Sequence, residues 1–338
     1  MINIQLKDIA EKLGLSISTV SRAIQDKPGI SIKTKKRVIE LAQILNYQPN
    51  PHARSLRIKK TKTIAVLVPD ISNHFFSLAL KGVETIVHKE GFNLMIYQTN
   101  DDWLIEKKVL HLLETGLVDG ILLSVSMNPQ HNYSHIKQLV GQIPLVFFDR
   151  VVEDYAVPWV VSNNFISAYH AATHLTEKKC KKIYFIGIDG SISSIKERLS
   201  GFEKALADKN VKNAEVQILF YADNDEAYRE LKTILIKDKK GIAFFCSVDR
   251  YALQLYKLCD ELELNIPRDI RIISFSNNPY AQLLSAPLSV IVPPAFEMGK
   301  QAAEMIVDLI NNKKVESNQV IFTNDMVFRV STSARNQH

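Results

Sequence analysis

Ile17, Ser18, Thr19, Ser21 and Arg22 fall within six consecutive positions and carry the sharpest chemical pattern in the chain. An arginine can donate two parallel hydrogen bonds to a guanine edge, a serine can bond a base, and an isoleucine can touch a thymine methyl. Arg22 could equally clamp a phosphate, because half or more of protein–DNA hydrogen bonds go to the backbone. Thr19 and Ser21 suit phosphate oxygens.

Such a cluster reads bases only if a short helix presents it. The pattern predicts one helix over 7–13, with Ile9, Ala10 and Leu13 on one face, and a second over 17–24, with Val20 and Ile24 turned inward. Gly14-Leu15-Ser16 is the turn between them, and the Ser16 hydroxyl can accept from the free amides of the second helix. Two short helices joined by a Gly-containing turn form a helix-turn-helix, whose second helix fits the major groove. Ser31 caps a third helix over 32–45, where Val38, Leu41, Ala42 and Leu45 form one stripe. Lys33, Lys35, Lys36 and Arg37 suit phosphate contact or plain solvation equally. Asn50 and Pro51 are an N-cap and N1 pair that opens a short segment over 51–57. Seven residues are too few to stay helical alone in water.

Beyond Lys62 the period changes. The continuous apolar run at 63–68 reads as a strand buried on both faces of a parallel sheet, and further strands are expected at 93–97, 120–124, 145–148, 159–161, 183–187, 215–219, 241–246 and 270–275. Helical stretches at 76–90, 103–115, 167–177, 196–209, 225–236 and 249–262 alternate with them, which is the signature of a doubly wound α/β fold. The 338 residues are enough for two or three domains. Charge divides sharply: residues 1–62 hold 13 basic and 4 acidic residues, net +9, against 29 and 32, net −3, in the remainder. A basic end on a mildly acidic body suits a protein that holds phosphates at one end only. Three scattered cysteines fit packed thiols in a reducing cytoplasm better than a disulfide frame. No apolar run approaches a membrane span, and the N-terminus lacks the pattern of a signal peptide. Phosphate-loop, nucleophile-elbow, zincin and complete dinucleotide-loop motifs do not occur, so no enzyme activity, cofactor or metal is expected.

The submotifs KDIAEKLGLS, STVSRAI, GIS, YQPN and ARSLR stand in order over some fifty residues. This stretch resembles the DNA-binding headpiece of the LacI/GalR family of transcription regulators. The body resembles the same family in VPDISNHFF, VDGILLS, IPLVFFDR, KERLSGFEKAL, SVDRYA and PPAFEMGKQAAE. The resemblance implies an all-α helix-turn-helix headpiece plus two Rossmann-like α/β lobes of periplasmic sugar-binding-protein type. It implies a DNA-binding domain over 1–48, a hinge helix and linker over 49–61, and an effector-binding and dimerisation domain over 62–338. Lobe one takes 62–161 and 292–324, and lobe two 162–291 and 325–338. It places base reading on Ile17, Ser18 and Arg22. It also implies a hinge helix in which Asn50, Ala53, Arg54, Leu56 and Arg57 meet DNA, Leu56 wedging into the minor groove. Carried over motif by motif, the effector pocket takes Asn73, Phe75, Phe76, Asp149, Asn163, Asn164, Arg198, Asp249 and Asn277, with Phe76 equally suited to the core. Gln5 replaces the family's usual capping Thr. Val248, Ser276 and Asn277 depart from its usual pocket pattern.

The resemblance implies a cytoplasmic homodimer without membrane contact. It would repress from a pseudo-palindromic double-stranded operator and respond to a small effector, a sugar or sugar derivative. A sugar-binding protein without specific DNA readout is the alternative. The chain stops soon after Arg329 with no heptad repeat, so a dimer is expected rather than a coiled-coil tetramer. If Leu56 is the wedge, Leu56→Ala weakens specific operator binding while calorimetric effector affinity stays unchanged. Equal operator affinity in the variant contradicts the assignment.

Overall fold

A computed structural model describes residues 4–45, 47, 60–128, 130–178, 180–188, 192–211, 216–221 and 223–333. The expected hinge helix, with Asn50, Ala53, Arg54, Leu56 and Arg57, lies outside the described residues. The chain divides into two compact units, Met1–Thr61 and Lys62–His338.

The first unit holds α1 (Leu6–Leu13), α2 (Ile17–Ile24) and α3 (Ile32–Ile44). Ile9, Ala10, Val20, Ala23 and Val38 are its buried core, with Leu13, Ile24, Leu41, Ala42 and Leu45 packed around them. Gly14 ends α1 at φ +65°, the left-handed conformation that a side chain would resist. Ser16 and Ser31 accept from the amides of Thr19 and Thr34 at 3.1 and 3.2 Å. Gln5 gives α1 a different start: the Asp8 carboxylate reaches back and accepts from the Gln5 amide at 2.7 Å. An acid in the first turn also suits the positive end of the helix dipole.

The second unit is two six-stranded sheets. The first is ordered β11-β5-β4-β3-β1-β2, from β1 (Thr63–Val68), β2 (Asn93–Gln98), β3 (Gly120–Leu123), β4 (Leu145–Phe148), β5 (Trp159–Ser162) and β11 (Gln319–Phe322). The second is ordered β12-β10-β9-β8-β6-β7, from β6 (Lys182–Gly187), β7 (Val216–Phe220), β8 (Ile242–Cys246), β9 (Ile270–Phe275), β10 (Ser289–Val292) and β12 (Asp325–Val327). Every pairing is parallel except that of β12 with β10. Parallel strands need crossover helices, and those helices cover both faces of each sheet. They are α4 (His74–Lys89), α5 (Trp103–Leu113), α6 (Ser134–Lys137), α7 (Asn164–Thr176), α8 (Ser193–Asp208), α9 (Asn224–Lys237), α10 (Asp249–Glu261) and α11 (Ala295–Ile310). Strands β10 to β12 and helix α11 were absent from the elements expected from sequence.

The chain passes between the sheets three times, after β5, after β10 and between β11 and β12. Asn324 ties two of these passages: its Nδ2 donates to the Asn163 carbonyl at 3.3 Å and to Ser167 Oγ at 3.0 Å. No helix of the described residues is long and apolar enough to cross a membrane.

Helices α7 and α8 approach closely at Gly201. A Cβ there would stand 2.1 Å from the Phe165 carbonyl oxygen, inside any allowed contact. Backbone cannot yield as a flexible side chain can. Gly201→Ala is expected to destabilise the second unit by about 1–3 kcal/mol, read as a lower urea midpoint. An unchanged midpoint contradicts the close approach.

Candidate nucleic-acid interface and ligand cleft

Helix α2 buries Val20 and Ala23 and turns its other face outward. Ile17 is 49% exposed. Ser18 and Arg22 are exposed beside it. Ser16 Oγ lies 2.8 Å from both Ser18 Oγ and Thr19 Oγ1, so the cap also fixes the hydroxyls at the helix start. Ser21 is half-buried. Among the described residues no carboxylate pairs with Arg22, whose guanidinium passes the Gly29 turn. Of the cations on α3, Lys35 is committed to Asp26 at 2.5 Å.

In the second unit the strand ends converge. Residues at or after the ends of β1, β4, β6, β8 and β9 line one small chamber of about 80 Å³. That is below the range of small-molecule pockets, ~300–1,000 Å³, and the two adjoining open spaces hold about 520 and 470 Å³. The chamber lies where ligands sit in open parallel α/β sheets, beyond the carboxyl ends of the strands. Asn73, Phe75, Phe76, Asp149, Arg198, Asp249 and Asn277 all line it. Phe76 serves the core as well: it is 4% exposed and meets the Phe148 ring edge-on at 6.5 Å.

Arg198 is the best-held side chain of the chamber. It is 6% exposed. Its Nε donates to Asn164 Oδ1 at 2.8 Å, its Nη1 donates to the Ser247 carbonyl at 2.6 Å, and its guanidinium carbon lies 3.8 Å from the centre of the Phe275 ring. Burial pushes its pKa down to about 10. Asn164 thus stands behind Arg198 and is not itself a lining residue. Asn163 is placed elsewhere: its Oδ1 accepts from the Ile166 amide at 3.0 Å and starts α7. That cap is why α7 begins three residues before the expected position.

Asp149 sits opposite, directly after β4. The Arg150 amide donates to the Phe148 carbonyl at 2.7 Å and closes a tight turn with Asp149 at φ +62°. Burial pushes the Asp149 carboxyl above its usual range, against the opposing pull of Arg150 and Arg198. The Arg150 guanidinium donates to Asp101 Oδ1 at 2.6 Å and borders the chamber and the open spaces on both of its sides. Asp249, first residue of α10, accepts from the Ser276 hydroxyl at 2.8 Å. Asn277 Nδ2 donates to the Pro293 carbonyl at 2.8 Å. Ser194, Ser247 and Phe275 line the chamber too, and the sequence-based set of effector residues omitted them. Their signal was positional: all but Ser194 lie at or just past a strand end.

Known proteins share this plan. A model of bacterial regulatory proteins of the lacI family matches residues 5–50, and one of a periplasmic binding protein-like domain matches 172–332. The HTH-type transcriptional repressor PurR of Aliivibrio salmonicida is 30% identical over 313 residues, covering 92% of this chain and 93% of its own. The chain belongs to the lacI family. The HTH-type transcriptional regulator RegA of Clostridium saccharobutylicum is 28% identical over 97% of this lacI-family chain and 98% of its own. The lac repressor dimer, solved bound to operator and the anti-inducer ONPF, superposes with a TM-score of 0.83 at 20% identity, over 98% of this chain and 99% of that one. The last comparison shows the shared fold: a helical headpiece followed by two parallel-sheet lobes.

Asp149 gives a pH test. Its folded pKa lies above its unfolded value, so its contribution to stability is present below the usual carboxylate range and is lost as pH rises through the folded pKa. Asp149→Asn, neutral throughout and tolerant of the left-handed turn, gains thermal stability over the parent as pH rises from about 3 to 7. A variant less stable than the parent at pH 7 would show that the arginines outweigh burial.

Proposed function

We propose that this chain is a sequence-specific transcription repressor. In this reading it acts in the cytoplasm as a homodimer, without catalysis, and its operator affinity answers to a small molecule of the sugar class held in the cleft. One observation carries it. A single chain joins a helix with an exposed reading face to a body whose strand ends enclose a ligand chamber. The names of its relatives support it: a ribose operon repressor of Halalkalibacterium halodurans is 28% identical over 97% of this chain.

A dimer presents two reading helices related by a twofold axis, so its site is pseudo-palindromic. Ile17, Ser18 and Arg22 read base edges, and Thr19 and Ser21 hold phosphates. The ligand changes the closure of the two lobes about their three passages. That change favours or melts the hinge helix, with Ala53 and Leu56 in the minor groove, Asn50 at its cap, and Arg54 and Arg57 on phosphates. The coupling is expected at ~1–3 kcal/mol.

Selection from a random duplex pool tests this. The full-length protein should enrich a pseudo-palindrome with a pyrimidine–purine step at its centre, the step most easily kinked. Weak, steeply salt-dependent binding without enrichment would instead favour a sugar-binding protein that lacks specific readout. On the enriched duplex, Arg22→Ala should cost about 1–3 kcal/mol and relax one base in each half-site. A uniform loss across sequences, with a salt slope lower by about one, makes Arg22 a phosphate clamp.

A further inference from the structure

We propose that the amino-end face of the second sheet is a second DNA-binding surface, one that holds the phosphates of a duplex without reading its sequence. Residues 177–182, 236–241 and 263–271 lead into β6, β8 and β9. Among them the described residues include 8 basic and 4 acidic ones, net +4, in a body whose residues 63–338 carry net −3. The three strands are neighbours and parallel, so these turns share one end of the sheet. The ligand chamber is at the other end, ~20 Å away along strands of five or six residues.

Backbone hydrogen bonds lace the turns into one face. The Lys181 amide donates to the Gly241 carbonyl at 2.7 Å, and the Gly241 amide donates to the Asp269 carbonyl at 2.8 Å. Two carboxylates are spent inside the face: Asp238 pairs with Lys182, and Asp269 with Arg268 at 3.0 Å. Lys181, Lys237, Lys239 and Lys240 are exposed, and among the described residues no carboxylate pairs with any of them. Arg271 lies half-buried beside them. Its Nη1 donates to the Cys180 sulfur at 3.7 Å, a weak acceptor, and its Nε is buried with no hydrogen-bond partner among the described residues. Crowded cations without counter-charges are unfavourable, and an anion at the face offsets that cost. Three neighbouring strands span ~10 Å, a length of duplex axis that carries about six phosphate charges.

What the face lacks narrows the partner. These turns contain no aromatic residue on which unpaired bases could stack. Ile236 is the one large apolar side chain exposed among their described residues, so the apolar anchors of a protein hot spot or a membrane-inserting face are missing. Long, flexible cations without anchors or reading groups suit the sequence-independent phosphate contact of a duplex. The proposal goes beyond the operator reading: the headpiece reads one site, and the body holds a second duplex, which tethering to the first site keeps at high effective concentration.

The test is fluorescence anisotropy of a random-sequence duplex of ~30 base pairs with the full-length protein, between about 50 and 200 mM salt. Arg22→Glu, Lys33→Glu and Lys36→Glu are first introduced together to turn the headpiece against DNA. Binding should persist, with log K falling against log salt at a slope of about −3, the release expected from three phosphates. Adding Lys181→Glu, Lys239→Glu and Lys240→Glu should lower that binding by about tenfold or more and flatten the slope. Lys107→Glu, Lys108→Glu and Lys137→Glu instead change the net charge equally on exposed residues of α5 and α6. They should alter binding by less than about threefold, because charges beyond a Debye length are screened. Circular dichroism melts confirm the fold of each protein. Loss of all binding once the headpiece is reversed, or equal losses in the two sets, overturns the proposal. Tighter binding of polyglutamate than of the duplex, abolished by the same three substitutions, overturns it in favour of an acidic protein segment. Palindrome enrichment by the parent protein is a separate readout, so failure here leaves the regulator reading standing.

Discussion

The cleft depends on the burial of the Arg198 guanidinium between the two sheets. A charge taken out of water must be paired and hydrogen-bonded or the site does not persist. Here the partners come from separate segments: Asn164 at the start of α7, the Ser247 carbonyl after β8, and the Phe275 ring at the end of β9. Asp149 answers it from the other lobe. The ion that recognition would use is thus also a lock on the local geometry. Lysine could not replace it, because a single ammonium lacks the planar fork that reaches two acceptors while lying on a ring.

Parallel strand order makes such a meeting possible. In each lobe the crossover helices return the chain to the far edge, so every parallel strand ends on the same side. Two such lobes, joined by three passages, bring their strand ends together and put loop residues around one chamber. The headpiece follows a different economy. Five buried residues of three short helices form a core just sufficient to hold α2, and the exposed Ile17 and Arg22 are what that core displays.

Much of this was legible from the residues. Serine before an apolar helical period gave both caps of the headpiece, and long apolar runs gave the parallel strands. Asp149, Asp249 and Asn277 were reachable through the family resemblance, and each lies one to three residues past a buried strand, at the ligand end of a parallel sheet. Other features were hidden for physical reasons. Strands β11 and β12 are half-exposed along their length and β12 pairs antiparallel at an edge, so neither shows the apolar run of a buried parallel strand. Asn163 and Asn164 are neighbours in sequence with the same side chain, yet one caps a helix and the other holds Arg198, a division that only the start of α7 sets. The Asp8 cap is another case, because it needs the geometry of the turn as well as the residue type.

The central claim is that the cleft and the reading helix share one free energy. Its most direct test measures operator affinity with and without a saturating sugar, and sugar affinity with and without saturating operator, at one salt concentration. The account predicts that both ratios depart from one, by about 5–150-fold, and that they are equal, as linkage requires. An operator affinity that does not move when the cleft is filled would contradict it.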